Sequence, residues 1–255
     1  MSRKPLIILI GADKGGVGKT TCARAMSDYL QSRGANARIF DGEFPVGDLK
    51  RFAPAATIVD LATTAGQMLV FDTLDGVTVV DIRAGQFSQT LRALDEAKLL
   101  DDVRAGTLNL ALLHVLGPTD RSLGEIGEIA ALIGGGTKHF LVRNHVNEGD
   151  FSEWEKDERF ASRLCQAEGI TVPHLTAGAC DVLQKLGVSF DVFSRDPAQS
   201  RMLRGYVRSW LDAVWNDFDK VGLGDLIASA ISERAPPDRA AMRIVTPSAA
   251  STAAR

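Results

Sequence analysis

Short apolar runs alternate with segments of helical spacing along most of the chain. "PLIILIG", "NARIFDGE", "ATIVDLA", "GVTVVDI", "LNLALLHVLG", "KHFLVRNHVN" and "ITVPHL" read as strands. Between them, Thr20 to Ser32 carries a helical pattern with Gly34 placed as a stop. Residues 63–74, 87–104 and a stretch near 122–133 read as further helices. The segment from Pro197 to about Ile231 is largely helical, with Leu203, Val207, Trp210, Leu211, Val214 and Phe218 recurring on one face. Buried strands alternating with helices predict an α/β fold, a mostly parallel central sheet with helices on both faces. From Ala235 onward, "APPDRAAMRIVTPSAASTAAR" is small and Pro-containing and reads as a disordered tail. That leaves residues 1–234 as a single domain.

Composition narrows the picture. A formal charge of −3 over 255 residues argues against wholesale attraction to nucleic acid or anionic lipid. Cys22, Cys165 and Cys180 are scattered, with no CxxC or His/Cys cluster, so reduced thiols are expected. The opening apolar run is too short for a signal peptide. No stretch is long and apolar enough to span a membrane. A cytoplasmic chain is the expectation.

Candidate chemistry begins at "GADKGGVGKTT", Gly11 to Thr21. Three glycines and two lysines crowd the positions from Lys14 to Lys19. Glycine weakens regular structure and the lysines repel, so a ligand must compensate. Between a strand and a helix, such a loop turns its N–H groups inward onto phosphate, and the helix N-terminus adds a favourable dipole. Gly15, Gly16, Val17, Gly18, Lys19, Thr20 and Thr21 are the candidate cradle. Lys19 would reach the β- and γ-phosphates, and the Thr20 hydroxyl would ligate Mg²⁺.

"KGGVGKTT" resembles the deviant Walker A motif of the ParA/MinD (SIMIBI) family of P-loop ATPases. The resemblance spans about residues 4–215, and the loop is its specific part. It implies a Mg²⁺-dependent ATPase that hydrolyses ATP to ADP and phosphate. It also implies an ATP-dependent homodimer in which Lys14 contacts the nucleotide of the other subunit, as an arginine finger would. Partition or positioning of DNA, or a plasmid or conjugation function, with an activator or cargo protein, would follow.

The family carries D-x-D where this chain has Asp41-Gly42-Glu43, so the resemblance makes Asp41 a catalytic candidate and associates Glu43, the second acid, with the attacking water; Glu43 reaches one methylene further than the usual Asp. Both acids also fit simple loop caps. For the metal-binding acid the choice falls on Asp60, at the end of "ATIV", with Asp72 in "MLVFDTL" as the alternative. The late strand implicates Asn144 as the adenine reader, and "VPHL" implicates Pro173 beside the base.

Within that resemblance, no cysteine pair suits a cluster-bridged dimer, and the tail lacks a basic amphipathic membrane helix. Arg201, Arg204 and Arg208 share a helical face and could hold non-specific DNA, although Asp212 and Asp217 lie nearby. Two other readings stay open. One is an ATP-dependent small-molecule ligase of the dethiobiotin-synthetase kind, which the Lys14-Gly15-Gly16 sequence disfavours. The other is a nucleotide-binding regulatory module with little turnover. His114, His139 and His145 have no metal spacing, and Trp154, Trp210 and Trp215 read as packing residues.

Overall fold

The computed structural model describes residues 4–116, 129, 133, 135–145, 151 and 168–231. The expected helix near 122–133, most of 148–169, Trp154, Cys165 and the tail from Ala235 lie largely or wholly outside them. The strands are β1 (Leu6–Gly11), β2 (Ala37–Asp41), β3 (Thr57–Ile58), β4 (Val77–Asp81), β5 (Asn109–Leu116), β6 (Lys138–Asn144) and β7 (Glu168–Val172). They form one seven-stranded sheet in the order β3-β2-β4-β1-β5-β6-β7, with every pairing parallel. The third apolar run of the sequence yields only a two-residue edge strand.

The helices are α1 (Lys19–Ser32), α2 (Thr64–Phe71), α3 (Phe87–Glu96), α4 (Leu99–Arg104), α5 (Ala177–Leu186), α6 (Phe190–Arg195), α7 (Arg201–Lys220) and α8 (Leu223–Ala230). The single helix expected over 87–104 is broken at Lys98, whose φ is 66°. The long C-terminal helix is likewise divided at Gly222.

β1 shows why the layers form. Leu6, Ile8 and Ile10 point to one face and pack with α1, α5, α6, α7 and α8; Ile7 and Leu9 point to the other and pack with α2, α3 and α4. All five are buried, each worth about 1.5–3 kcal/mol. A strand covered on both sides carries no polar position, which is why "LIILI" is a continuous apolar run. No helix among the described residues is long and apolar enough to cross a membrane.

Candidate functional site

The carboxyl ends of parallel strands are where an open α/β sheet binds ligands. Here the phosphate-type loop leaves the centre of the sheet, from β1, and leads into α1. Gly16 and Gly18 have φ of 73° and 88°, left-handed values that glycine adopts without strain. Gly18 begins α1 with no side-chain cap and no acid in the first turn. The first N–H groups of the helix therefore face the loop without a side-chain acceptor, as an anion site requires. Val17 is buried, Lys19 is nearly so, and Gly15 and Gly16 are exposed at the rim. Lys14 is half-buried beside them.

Asp41 and Asp81 end neighbouring strands and are paired in register, and Asp81 pairs in turn with Ile10 of β1. Both acids are buried. Their environments differ. Asp41 organises its own loop: Oδ1 accepts from the Glu43 amide at 3.0 Å and Oδ2 from the Lys50 amide at 2.8 Å. Asp81 has both oxygens buried with no hydrogen-bond partner. Burial pushes its carboxyl up to about 7; the Asp41 and Glu43 charges push the same way, while the Thr20 hydroxyl and the Lys19 ammonium oppose them. Thr20 acts on Asp81 without reaching hydrogen-bond geometry.

An orphaned buried carboxylate facing a hydroxyl at a phosphate loop fits Mg²⁺, which takes one or two protein oxygens and completes its shell with phosphate and water. Among the described residues no three His, Cys, Asp or Glu side chains gather into a self-sufficient metal cage.

The sheet order bears on the expectation of Asp60 as the metal acid. β3 is the edge, with β2 and β4 between it and β1, so Asp60 lies about 14 Å to the side of the loop's strand. Its Oδ1 accepts from the Ala62 amide in the turn before α2. The alternative, Asp72, is the C-cap of α2. Asp81 ends the strand beside β1, and the reading of the sequence passed over it although "VTVVD" is an apolar run ending in an acid.

Glu43 sits at the start of the β2–β3 loop, where its carboxylate meets Arg83 at 3.6 Å, both partly exposed. Asn144 comes to the glycine loop, where its Nδ2 donates to the carbonyls of Val17 at 3.0 Å and Gly18 at 3.3 Å. Pro173, after β7, accepts from Trp210 Nε1 at 2.7 Å. Asn144 and Pro173 also line a cavity of about 180 Å³ beside α1. Arg201, Arg204 and Arg208 lie on α7; Arg208 is paired with Asp212 at 3.2 Å. Cys22 is buried and Cys180 half-buried, both free thiols.

Strand, glycine loop and helix at the centre of a parallel sheet make this an α/β fold of the P-loop NTPase type. No family model matches the chain, and no curated protein matches its sequence. Among solved structures it is similar to a nucleotide-binding protein in complex with ADP from Archaeoglobus fulgidus, at 17% identity over 71% of this chain and 86% of that one, TM-score 0.49. It is also similar to a chain of the MinC:MinD cell division protein complex of Aquifex aeolicus, at 14% identity over 82% and 96%, TM-score 0.45. MinD of Aquifex aeolicus gives 16% identity over 82% and 97%, TM-score 0.42.

Proposed function

We propose that this protein is a Mg²⁺-dependent ATPase switch of the ParA/MinD kind, in which bound ATP brings two copies together and hydrolysis releases them. The observation that carries this reading is the uncapped start of α1 behind "KGGVGKTT", with the partnerless Asp81 facing Thr20. The amides from Gly15 to Thr21 cradle the phosphates, and Lys19 neutralises their charge. Thr20 and Asp81 hold Mg²⁺, which when bound draws charge from the phosphate oxygens. Lys14, beside the exposed rim of the loop, is the residue a second copy would receive. Glu43 orients the attacking water. Cargo is DNA or a partner protein, with Arg201, Arg204 and Arg208 as the basic face.

One observation favours a slower variant, a nucleotide-binding module with little turnover. Asp41 is fully engaged by loop amides, and Glu43 is shared with Arg83. Neither acid stands ready as a base.

Light scattering with a non-hydrolysable ATP analogue and Mg²⁺ tests the switch. Wild type should double in mass and Lys14→Ala should stay monomeric; with ATP itself, Glu43→Ala should remain dimeric after wild type has reset. A wild type that stays monomeric, or a Lys14→Ala that dimerises normally, rejects the sandwich dimer. Turnover unchanged in Glu43→Ala selects the slow module.

A further inference from the structure

A groove of about 720 Å³ lies at the opposite end of the strands from the phosphate loop. It runs between the second half of α1, the start of β2, the turn at 53–55 and the junction of α5 and α6. Leu30 and Val188 line it, and Val192 lines it while 52% exposed. Phe52 is a fixed wall: the guanidinium carbon of Arg24, itself only 6% exposed, lies 3.5 Å from its ring centre. One acid, Asp28, and no lysine or arginine line the groove.

The groove follows an edge of the sheet that β3 leaves open. β3 pairs only with Phe40 and Asp41 of β2. The Asp41 carbonyl turns to that side and accepts from the Val59 amide at 2.9 Å, whereas the Gly42 amide turns to β4. Backbone groups alternate along a strand, so the amides of Ala37 and Ile39 face the same side as Asp41. The chain ahead of β3 does not extend the ladder to meet them. It turns, with the Ala56 amide donating to the Ala53 carbonyl at 2.8 Å, and Pro54 has no N–H to offer. Among the described residues no strand covers Ala37 to Ile39 on this side. An open edge beside an apolar hollow is a template for a further strand.

The chain itself leads to this place. A Cβ on Gly76 would meet the Asn36 carbonyl at 3.8 Å and the Ala230 carbonyl at 3.9 Å, so α8 ends beside Asn36, which lines the groove. Beyond Ile231, and outside the described residues, ten residues precede "MRIVT", Met242 to Thr246. Extended, ten residues reach about 33 Å, roughly twice the length of β2. Ile244, Val245 and Thr246 are consecutive β-branched residues, and Pro247 stops further pairing. From Arg239 to Arg255 the chain carries three arginines and no acid, which suits a groove whose one charge is Asp28. We infer that Met242 to Thr246 dock in the groove as an added strand against Ala37 to Ile39, with Met242 and Ile244 turned into the hollow. The tether holds the segment at an effective concentration in roughly the millimolar range, so weak pairing suffices. The inference uses no nucleotide and stands apart from the ATPase reading.

Amide hydrogen exchange of the full chain, followed at Ala37 and Ile39 without nucleotide, tests the added strand. In wild type both amides should exchange slowly, at a rate independent of protein concentration. Ile244→Asp should speed both by about tenfold or more and leave the β1 amides unchanged. Val192→Asp, on the groove side, should act in the same direction. A synthetic peptide of residues 238–248 should restore protection to the Ile244→Asp chain, and the same peptide carrying Ile244→Asp should not. Fast exchange in wild type, or exchange unchanged by Ile244→Asp, overturns the inference. Protection that fades on dilution also overturns it, because a second copy would then cover the edge. Equal rescue by the two peptides overturns it as well, because the groove would then hold any extended chain.

Discussion

Asp13, in the phosphate loop, caps α3: its Oδ2 accepts from Ser88 Oγ at 2.6 Å. Its Oδ1 accepts from the Phe87 amide at 2.9 Å, and its own carbonyl accepts from Gly85 at 3.0 Å. The packing is equally close, since a Cβ on Gly11 would sit 2.3 Å from the Phe87 ring. The segment that precedes Lys14 and the one that follows Asp81 are therefore tied together. Asp13→Ala should lower stability by about 1–2 kcal/mol in urea unfolding, the usual value of a lost helix cap, and weaken ATP binding as well. Asp13→Asn keeps an acceptor for the amides and should recover most of both. Stability equal to wild type in Asp13→Ala would show that the cap is dispensable.

Asp81 and Asp60 make opposite expectations. Asp81→Asn removes a desolvated carboxylate that has no partner, so the Mg²⁺-free protein should melt no lower than wild type. The same variant should lose Mg²⁺-dependent ATP turnover at least a hundredfold. Asp60→Asn keeps the acceptor for the Ala62 amide at the edge of the sheet and should retain turnover. Loss of turnover in Asp60→Asn with activity intact in Asp81→Asn would restore Asp60 as the metal acid.

The contrast between these two acids shows what the chain makes legible. β1, the glycine loop and α1 are contiguous, and each is marked locally by an apolar run, glycines or helical spacing. Which strand lies beside β1 is a question of long-range pairing. β4 inserts between β2 and β1, so a reading that follows strands in chain order selects Asp60 and misses Asp81. Asn144 is legible as the end of a late strand. The destination of its amide depends on how close β6 brings it to Val17 and Gly18. α5 carries small residues, Ala177 to Ala179, in its first turn and shows a weak apolar stripe. The break at Lys98 has no glycine or proline to announce it. Arg24 is the least legible of all, because an arginine on an amphipathic helix ordinarily faces water.

His114 and His139 are hydrogen-bonded edge to edge, with near-parallel rings, ring centres 5.4 Å apart and Nε2 to Nδ1 at 3.1 Å. Burial lowers His114 to about 3, with His139 adding to the shift, and burial lowers His139 too. Both are neutral when folded and basic when unfolded. The unfolded chain thus binds more protons between the unfolded value near 6.5 and the folded one, and stability falls as pH drops through that window. The slope is on the order of 1 kcal/mol per pH unit for one such histidine. His114→Gln should flatten the acid limb of a urea-midpoint profile. An unchanged profile would place the acid sensitivity elsewhere.

The basic face of α7 is partly neutralised from within. Arg208 shares its guanidinium with Asp212 one turn on, while Arg204 has its Nε buried. An exposed pair of this kind contributes little to stability, so altering it changes the surface charge and leaves the fold intact. If this face holds DNA, Asp212→Asn frees a cation for phosphate. It should tighten binding at low salt and steepen the log–log salt dependence by about one unit. Reversal of Arg201, Arg204 and Arg208 to Glu should act in the other direction, abolishing retention on a mixed-sequence duplex followed by fluorescence anisotropy. The two variants differ in sign, which excludes a trivial loss of folding as the common cause. Equal binding in wild type, Asp212→Asn and the triple reversal would leave α7 as a solvated helix and assign the cargo to a protein partner.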